Sequence, residues 1–216
     1  MNLKQLIAQF RGRTMDTVKP YLWPDTELGP WFTESESEAA VRALLIHDTD
    51  TFDIKAGDTD PVILPASLFD IQYAELRGAD GKTYEITGTT RRALNQVTPG
   101  WRSRVGTPGN YVHDDKTLSL SAVPDQDYTL YLEFYRLPAG ELANNDDEPE
   151  INEVHHLNLI DWVEFRAYAK PDPDAQNPKK SADAEGKFVS YFGQRSTADI
   201  RRKQNANRPH RNRLQT

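Results

Sequence analysis

Apolar residues recur at steps of three and four at both ends of the chain and at steps of two through its middle. Leu3, Leu6, Ile7 and Phe10 predict a short amphipathic helix over residues 2–12 that ends near Gly12. An extended entry, KPYLWP at residues 19–24, precedes a longer helix whose inward positions are Leu28, Trp31, Ser35, Ala39, Ala43 and Ile46. Asp25 is its expected N-cap. Gly29-Pro30 interrupts early, so this helix either starts at Pro30 or carries a distorted first turn. Glu34, Glu36 and Glu38 are its expected exposed face, suited to the N-terminal end of the helix dipole.

From Thr51 the period falls to two. Phe52 and Ile54 alternate with polar residues, and 62–64 is a short apolar run between prolines. Residues 67–77 and 82–87 flank Ala79-Asp80-Gly81, a strong hairpin turn. Residues 89–96 predict one or two helical turns, and 101–110 predict a loop with a Pro-Gly turn. Residues 117–122 and 128–137 alternate strictly, with Leu118, Leu120, Ala122, Leu130, Leu132 and Phe134 inward. Such alternation describes a small, mainly antiparallel sheet with one wet face.

After an acidic linker, ANNDDEPE, comes the longest apolar stretch, residues 149–169. Asn152 is its expected cap and Ile151 its staple. Leu159, Ile160, Val163 and Ala167 form one stripe, while Trp162, Phe165 and Ala169 form a second. Asp161, Glu164 and Tyr168 form the polar strip. Two apolar seams need cover from two directions, from the chain itself or from a neighbouring subunit. Pro171-Asp172-Pro173-Asp174 is a helix-to-helix turn, and Asn177-Pro178 opens a last helix with Ala182, Phe188, Val189 and Phe192 as its apolar members. Beyond Gly193 the chain is polar and basic, too poor in apolar surface to order itself.

The order helix, helix, sheet, helix, helix implies an α+β fold. Residues 1–50 and 150–195 would form a bundle of about four helices, 51–140 an inserted β domain, and 196–216 an extended basic C-terminal arm.

Composition narrows the function. The net charge of −7 argues against broad attraction to nucleic acid or anionic membrane. From Arg195 onward there are seven Lys or Arg and one Asp, a local +6, which leaves −13 for the residues before it. No cysteine is present, which removes disulfides, thiolate catalysis and Cys-based zinc sites. The N-terminal sequence is too short and too charged for a signal peptide, and no run approaches the ~18 apolar residues of a membrane span, so the chain reads as a soluble, unsecreted protein or one released by lysis.

Catalytic chemistry finds no support. There is no G-x-S-x-G, Walker or dinucleotide motif. His155 and His156 with Asp161 fail as a metal site because His156 and Asp161 lie about 140° apart around a helix. Asp172, Asp174, Gln176 and Asn177 lack the Gly and Glu of a calcium loop. His113-Asp114-Asp115 reads as a turn, and Asp146-Asp147 lies in the linker. No cofactor is implied. The sharper signal is the basic segment, with Arg195, Arg201, Arg202, Lys203, Arg208, Arg211 and Arg213. Three readings stay open: phosphate contact, an arm that orders against an acidic partner surface, and a solvated end. A carbohydrate platform on the sheet aromatics is a further alternative.

Three stretches carry a family resemblance. The first is Trp23-Pro24-Asp25-x-Glu27-Leu28 with Trp31 and Glu38-Ala39-Ala40-Val41-Arg42-Ala43. The second starts at Leu64-Pro65-x-x-Leu68-x-x-Ile71 and ends at Tyr135-Arg136-Leu137-Pro138. The third is Ile151 with His156-x-x-Leu159-Ile160-x-Trp162-x-x-x-Arg166-Ala167-Tyr168, then Asp172-x-Asp174 and a Phe-bearing last helix. Across residues 20–195 the chain resembles the head-to-tail adaptor (head–tail connector) proteins of tailed bacteriophages. It departs from them at Gly29-Pro30 and at Asn152, where a proline is often seen.

The resemblance implies a non-enzymatic virion protein at the capsid–tail junction, assembled in the host cytoplasm. It also implies a homo-oligomeric ring, typically a dodecamer, below the portal, with tail or nozzle proteins as further partners and double-stranded DNA passing through the lumen. The C-terminal arm would dock on the portal, and Trp162, Phe165, Arg166 and Tyr168 are the candidate subunit interface. The alternatives from other classes are a carbohydrate- or surface-binding β module of a phage tail and a DNA-binding accessory protein.

Overall fold

The computed structural model describes residues 1–195. Among those residues it is an α+β structure with five α-helices and two four-stranded sheets. The helices are α1 (Leu3–Thr14), α2 (Asp25–Ala43), α3 (Arg91–Val97), α4 (His156–Ala169) and α5 (Pro178–Phe192). The described chain divides into two compact units, one of residues 1–47 and 135–195 and one of residues 48–134. All helices except α3 belong to the first unit.

In α1 the predicted stripe is buried, and a capping box starts the helix: Asn2 accepts the Gln5 amide while the Gln5 side chain accepts the Asn2 amide, each at 3.0 Å. The helix runs through Gly12 to Thr14 and stops where Met15 turns left-handed. Arg11, next to Phe10 on the inward side, is buried and organises the connection to α2. Its guanidinium donates to Asp16 at 2.6 Å, to Asp25 at 2.5 Å and to the Trp23 carbonyl at 2.9 Å, and lies 3.5 Å from the Tyr21 ring centroid.

Helix α2 departs from expectation at its cap and at Glu36, and of its two expected starts it takes the one before Pro30. Asp25 is its first helical residue, and Pro24 occupies the cap position without a side-chain bond. Pro30 sits inside the helix, so it has no amide to offer the Thr26 carbonyl. Fully buried Leu28 and Phe32 hold the helix on either side of that lost bond. Glu36, expected on the exposed face, points inward and is 1% exposed. The reason is that Glu36 Oε1 accepts the main-chain amides of Glu150 at 2.5 Å and Ile151 at 3.3 Å. A buried carboxylate is tolerated when such donors replace its water.

Those amides bring in the central apolar stretch. Asn152 caps as predicted, its Oδ1 accepting the Val154 amide at 3.0 Å, but one 3-10 turn (Glu153–His155) intervenes before α4. Helix α4 packs against α1, α2 and α5. Its supposed polar strip is largely covered: Asp161 and Tyr168 are buried, because Arg13 of α1 binds Asp161 and Trp23 covers Tyr168. Trp23 stands edge-on to both Phe10 and Tyr168 at 5.5 Å and donates to the Ala167 carbonyl at 3.2 Å. Helix α5 starts at Pro178 under an Asn177 cap, as its sequence predicts, and buries Ser181, Ala184, Phe188 and Phe192. Ala182, expected inside, is exposed. The acidic linker is fastened down: its Asn145 and Asp147 carbonyls accept the Lys4 and Leu3 amides at 3.0 and 2.8 Å, satisfying donors at the start of α1.

Most strand residues lie in the second unit. One sheet has the order β1 (His47–Ile54), β8 (Tyr128–Arg136), β3 (Leu68–Gly78), β4 (Thr83–Glu85). The other has the order β2 (Val62–Ile63), β7 (Thr117–Leu120), β6 (Asn110–Asp114), β5 (Thr87–Gly88). The β3–β4, β2–β7 and β6–β7 pairs are antiparallel and β5–β6 is parallel. The hairpin forms where Asp80-Gly81 predicts it, with Gly81 at φ 78° and the Gly78 amide bonded to the Lys82 carbonyl at 2.8 Å. Beyond it, buried Ile86 separates β4 from β5, so the predicted strand of 82–87 serves two sheets. Leu76, Leu118, Leu130 and Leu132 form the centre of this unit's core. Two expectations fail: His113-Asp114 belongs to strand β6, and the predicted loop 101–110 holds buried Trp101 in a 3-10 turn beside Leu94 and Val112.

Candidate functional site

The described chain ends at Arg195, just past α5, and several polar groups gather there. Gly193, at φ 87°, ends the helix in a backbone conformation that favours glycine. Its carbonyl accepts from Arg42 Nη1 at 3.4 Å, and Arg195 Nη1 donates to Glu38 Oε1 at 2.7 Å. Glu38 Oε2 takes a second bond from Arg42 Nε at 3.0 Å, one helical turn along α2. The Arg42 guanidinium is itself held over the Trp162 and Phe188 rings, 5.1 and 5.3 Å from their centroids. A stacked, buried arginine therefore orients the carboxylate that grips the first basic residue of the C-terminal segment. Of the predicted docking residues Arg195 is placed here. Arg201, Arg202, Lys203, Arg208, Arg211 and Arg213 lie outside the described residues.

The four interface candidates separate into two kinds. Trp162 is 7% exposed and packs between Phe165 and Phe188, with centroids 5.0 Å away in each case. Its indole N–H is buried with no acceptor among the described residues. Tyr168 lies under Trp23, with the Lys180 ammonium 5.0 Å from its ring centroid. Phe165 is half-buried, and Arg166 is exposed and pairs with Glu34 at 3.3 Å. The seam on α4 is thus filled from within its own unit, and only Phe165 and Arg166 offer surface.

The groups weighed for metal chemistry have other partners. His156 Nε2 is 2.9 Å from the Ile151 carbonyl and its Nδ1 is 3.0 Å from the N-terminal amine. His155 contacts Tyr191, and Asp161 binds Arg13. Asp172 Oδ1 accepts the Asp174 amide, an ordinary turn. Asp114 pairs with Arg91. Among the described residues no three His, Cys, Asp or Glu side chains gather as a metal-binding group.

Burial pushes the Glu36, Asp161 and Glu164 carboxyls above their ordinary range, opposed at Asp161 and Glu164 by Arg13 and Lys187. At Glu36 the two main-chain amides oppose it. Burial also pushes the His113 imidazole down, and its Nε2 is enclosed without a bond among the described residues. Tyr73 is raised to about 12 by its hydrogen bond to Glu75. Asp161 and Glu164 lie within one turn of each other on α4, and the Asp161 charge adds to the upward push on Glu164. Sequence reasoning missed Arg11 and Glu36. Arg11 carried a legible signal, since it follows Ile7 by four residues on the apolar stripe of α1.

No helix among the described residues is long and apolar enough to cross a membrane. Comparison with curated proteins returned no match. The family model described as SU10 adaptor protein matches residues 1–213. With the match covering nearly the whole chain, in agreement with the motif order in its sequence, the chain belongs to the SU10 adaptor protein family, a family of phage head–tail adaptors.

Proposed function

We propose that this chain is a structural virion protein that forms a closed ring, of twelve subunits, below the portal at the capsid vertex, joins capsid to tail, and lets double-stranded DNA pass. The family match is the observation that carries the reading. In it the first unit is a helical bundle interrupted by a β insertion, and the basic C-terminal arm is the portal-docking element. The clamp of Glu38 and Arg42 on Arg195 supports that role, because it holds the first basic residue of that segment at the surface of the unit. A ring also needs two different faces per subunit meeting head to tail. Phe165 and Arg166 supply surface for one of them, with Trp162 and Tyr168 as the packed layer beneath. The −13 carried before Arg195 would repel DNA and so keep it from adhering during passage.

Deletion of residues 196–216 tests the arm directly. The truncated chain keeps its thermal transition and circular dichroism spectrum but no longer co-sediments with portal rings. Undiminished co-sedimentation overturns the assignment of the arm.

A further inference from the structure

The β unit, residues 48–134, turns opposite charge to its two outer sides. Its sheets bury side chains in one shared core, with Leu76, Leu130 and Leu132 from one sheet and Tyr111 and Leu118 from the other. Side chains alternate along a strand, so the residues between these point away from the core, on opposite sides of the unit. On the side of β3, β8 and β4, Tyr73 Oη donates to Glu75 at 2.8 Å, and Arg77 Nε donates to the other Glu75 oxygen at 2.7 Å. The Arg77 guanidinium lies 4.3 Å from the Tyr131 ring centroid, and Tyr131 Oη donates to Glu133 at 3.2 Å. Glu85 stands directly across from Glu75 in the β3–β4 register. Arg77 is taken by Glu75, and Glu85 is exposed and holds no ion pair among the described residues.

The other side is basic. Val112 of β6 packs with Leu94 of α3 and with Trp101, so α3 and the 3-10 turn cover the outside of the second sheet. Residues 48–134 hold fourteen Asp or Glu and eight Lys or Arg, yet residues 86–113 hold four Arg and no Lys, Asp or Glu. Arg91 is taken by Asp114. Arg92 and Arg104 are exposed and hold no ion pair among the described residues. Arg102 bonds only the neutral Asn95, at 3.1 Å, and stacks 4.3 Å from the Trp101 ring centroid. Val97 and Val105, in the same segment, are 81% and 67% exposed.

We propose that these two sides meet between neighbouring copies of the chain: the side of β3, β4 and β8 that carries Glu85 packs on the side of α3 that carries Arg92 and Arg104 in the next subunit. Charge selects the occupant. Like charges directly across two strands cost stability, and Glu75 opposite Glu85 is such a pair with a cation on one member only. The arginines that could answer Glu85 lie on the far side of the same unit, so a second copy brings them to it. Contact between opposite sides of identical units is head to tail, the type that closes into a ring. Exposed valines beside the arginines, and tyrosines held in place opposite, suit a protein interface better than a phosphate backbone.

The proposal rests on the ring reading, but the two fail separately. The chain has no native cysteine, so the full-length protein with Thr83→Cys on β4 and Ser103→Cys beside Arg104 can be cross-linked by a short bis-maleimide in the presence of portal rings. The expected products are multimers beyond the dimer, because each copy is linked to a neighbour on either side, while each single-cysteine protein stays at monomer mass. Arg92→Glu with Arg104→Glu in that background should lower the multimer yield about fivefold, and adding Glu85→Arg should restore much of it. Rings by native mass without cross-linked multimers, or multimers indifferent to the charge reversals, overturn this contact and leave the ring standing. Absence of any ring overturns both. A low-salt gel shift with double-stranded DNA that is abolished by Arg92→Glu with Arg104→Glu assigns these arginines to phosphate and also overturns the contact.

Discussion

Replacing Glu36 by Ala tests whether this buried carboxylate ties α2 to the start of the central helix. The substitution strips the shared acceptor from the Glu150 and Ile151 amides, bonded at 2.5 and 3.3 Å. An unsatisfied buried donor costs ~1–3 kcal/mol. The Ile151 bond is long and the Glu150 amide only partly buried, so the expected loss is ~2–4 kcal/mol for the pair. Glu36→Gln keeps an acceptor oxygen and should lose less than ~1 kcal/mol at neutral pH. The two variants also separate acceptor from charge. Burial raises the Glu36 carboxyl above its ordinary 4.5. The folded chain then holds that proton more tightly than the unfolded one. This contribution is fully present below the unfolded value and is lost as pH rises through the folded value. Wild type should accordingly gain on Glu36→Gln as pH falls from 7.5 toward ~4, while Asp161 and Glu164, shifted the same way, act equally in both. Urea unfolding followed by tryptophan fluorescence across that range reads the difference. Equal losses for Ala and Gln at neutral pH, or a wild-type advantage that grows with pH, would refute the assigned role.

Two further outcomes follow from the packing. Arg11→Met leaves Asp16 buried without its cation and should cost ~3–5 kcal/mol, most of it regained in the Arg11→Met, Asp16→Asn double variant, as chemical denaturation of each protein will show. Trp162→Ala should cost ~3–5 kcal/mol in the isolated subunit because the ring is core. Arg166→Glu should leave the melting transition within a few degrees of wild type while weakening ring formation, read by native mass. Intact rings in Arg166→Glu would remove that face of α4 from the interface.

Local chemistry wrote several elements plainly into the sequence. Asn177-Pro178 marks the start of α5, Asp80-Gly81 the β3–β4 turn, and the strict alternation of Leu130, Leu132 and Phe134 the buried side of β8. What it left obscure depends on partners distant in sequence. Asp161 reads as surface until Arg13 is placed beside it, and Glu36 until the Glu150 and Ile151 amides turn toward it. Strand β6 was illegible for another reason. Only Tyr111 and Val112 are apolar in it, and its pairing is supplied by β5 and β7. Helix α2 continues past Pro30 because burial of Leu28 and Phe32 outweighs one missing hydrogen bond. The Glu38–Arg42–Arg195 clamp was half legible: the i, i+4 spacing is in the sequence, but the return of α5 to α2 is not.

The central claim is assembly on the portal, and particle mass tests it most directly. Native mass spectrometry of the full chain mixed with purified portal should reveal a discrete closed complex with about twelve copies per portal ring. A chain that remains monomeric beside the intact portal, at concentrations well above micromolar, would contradict the account.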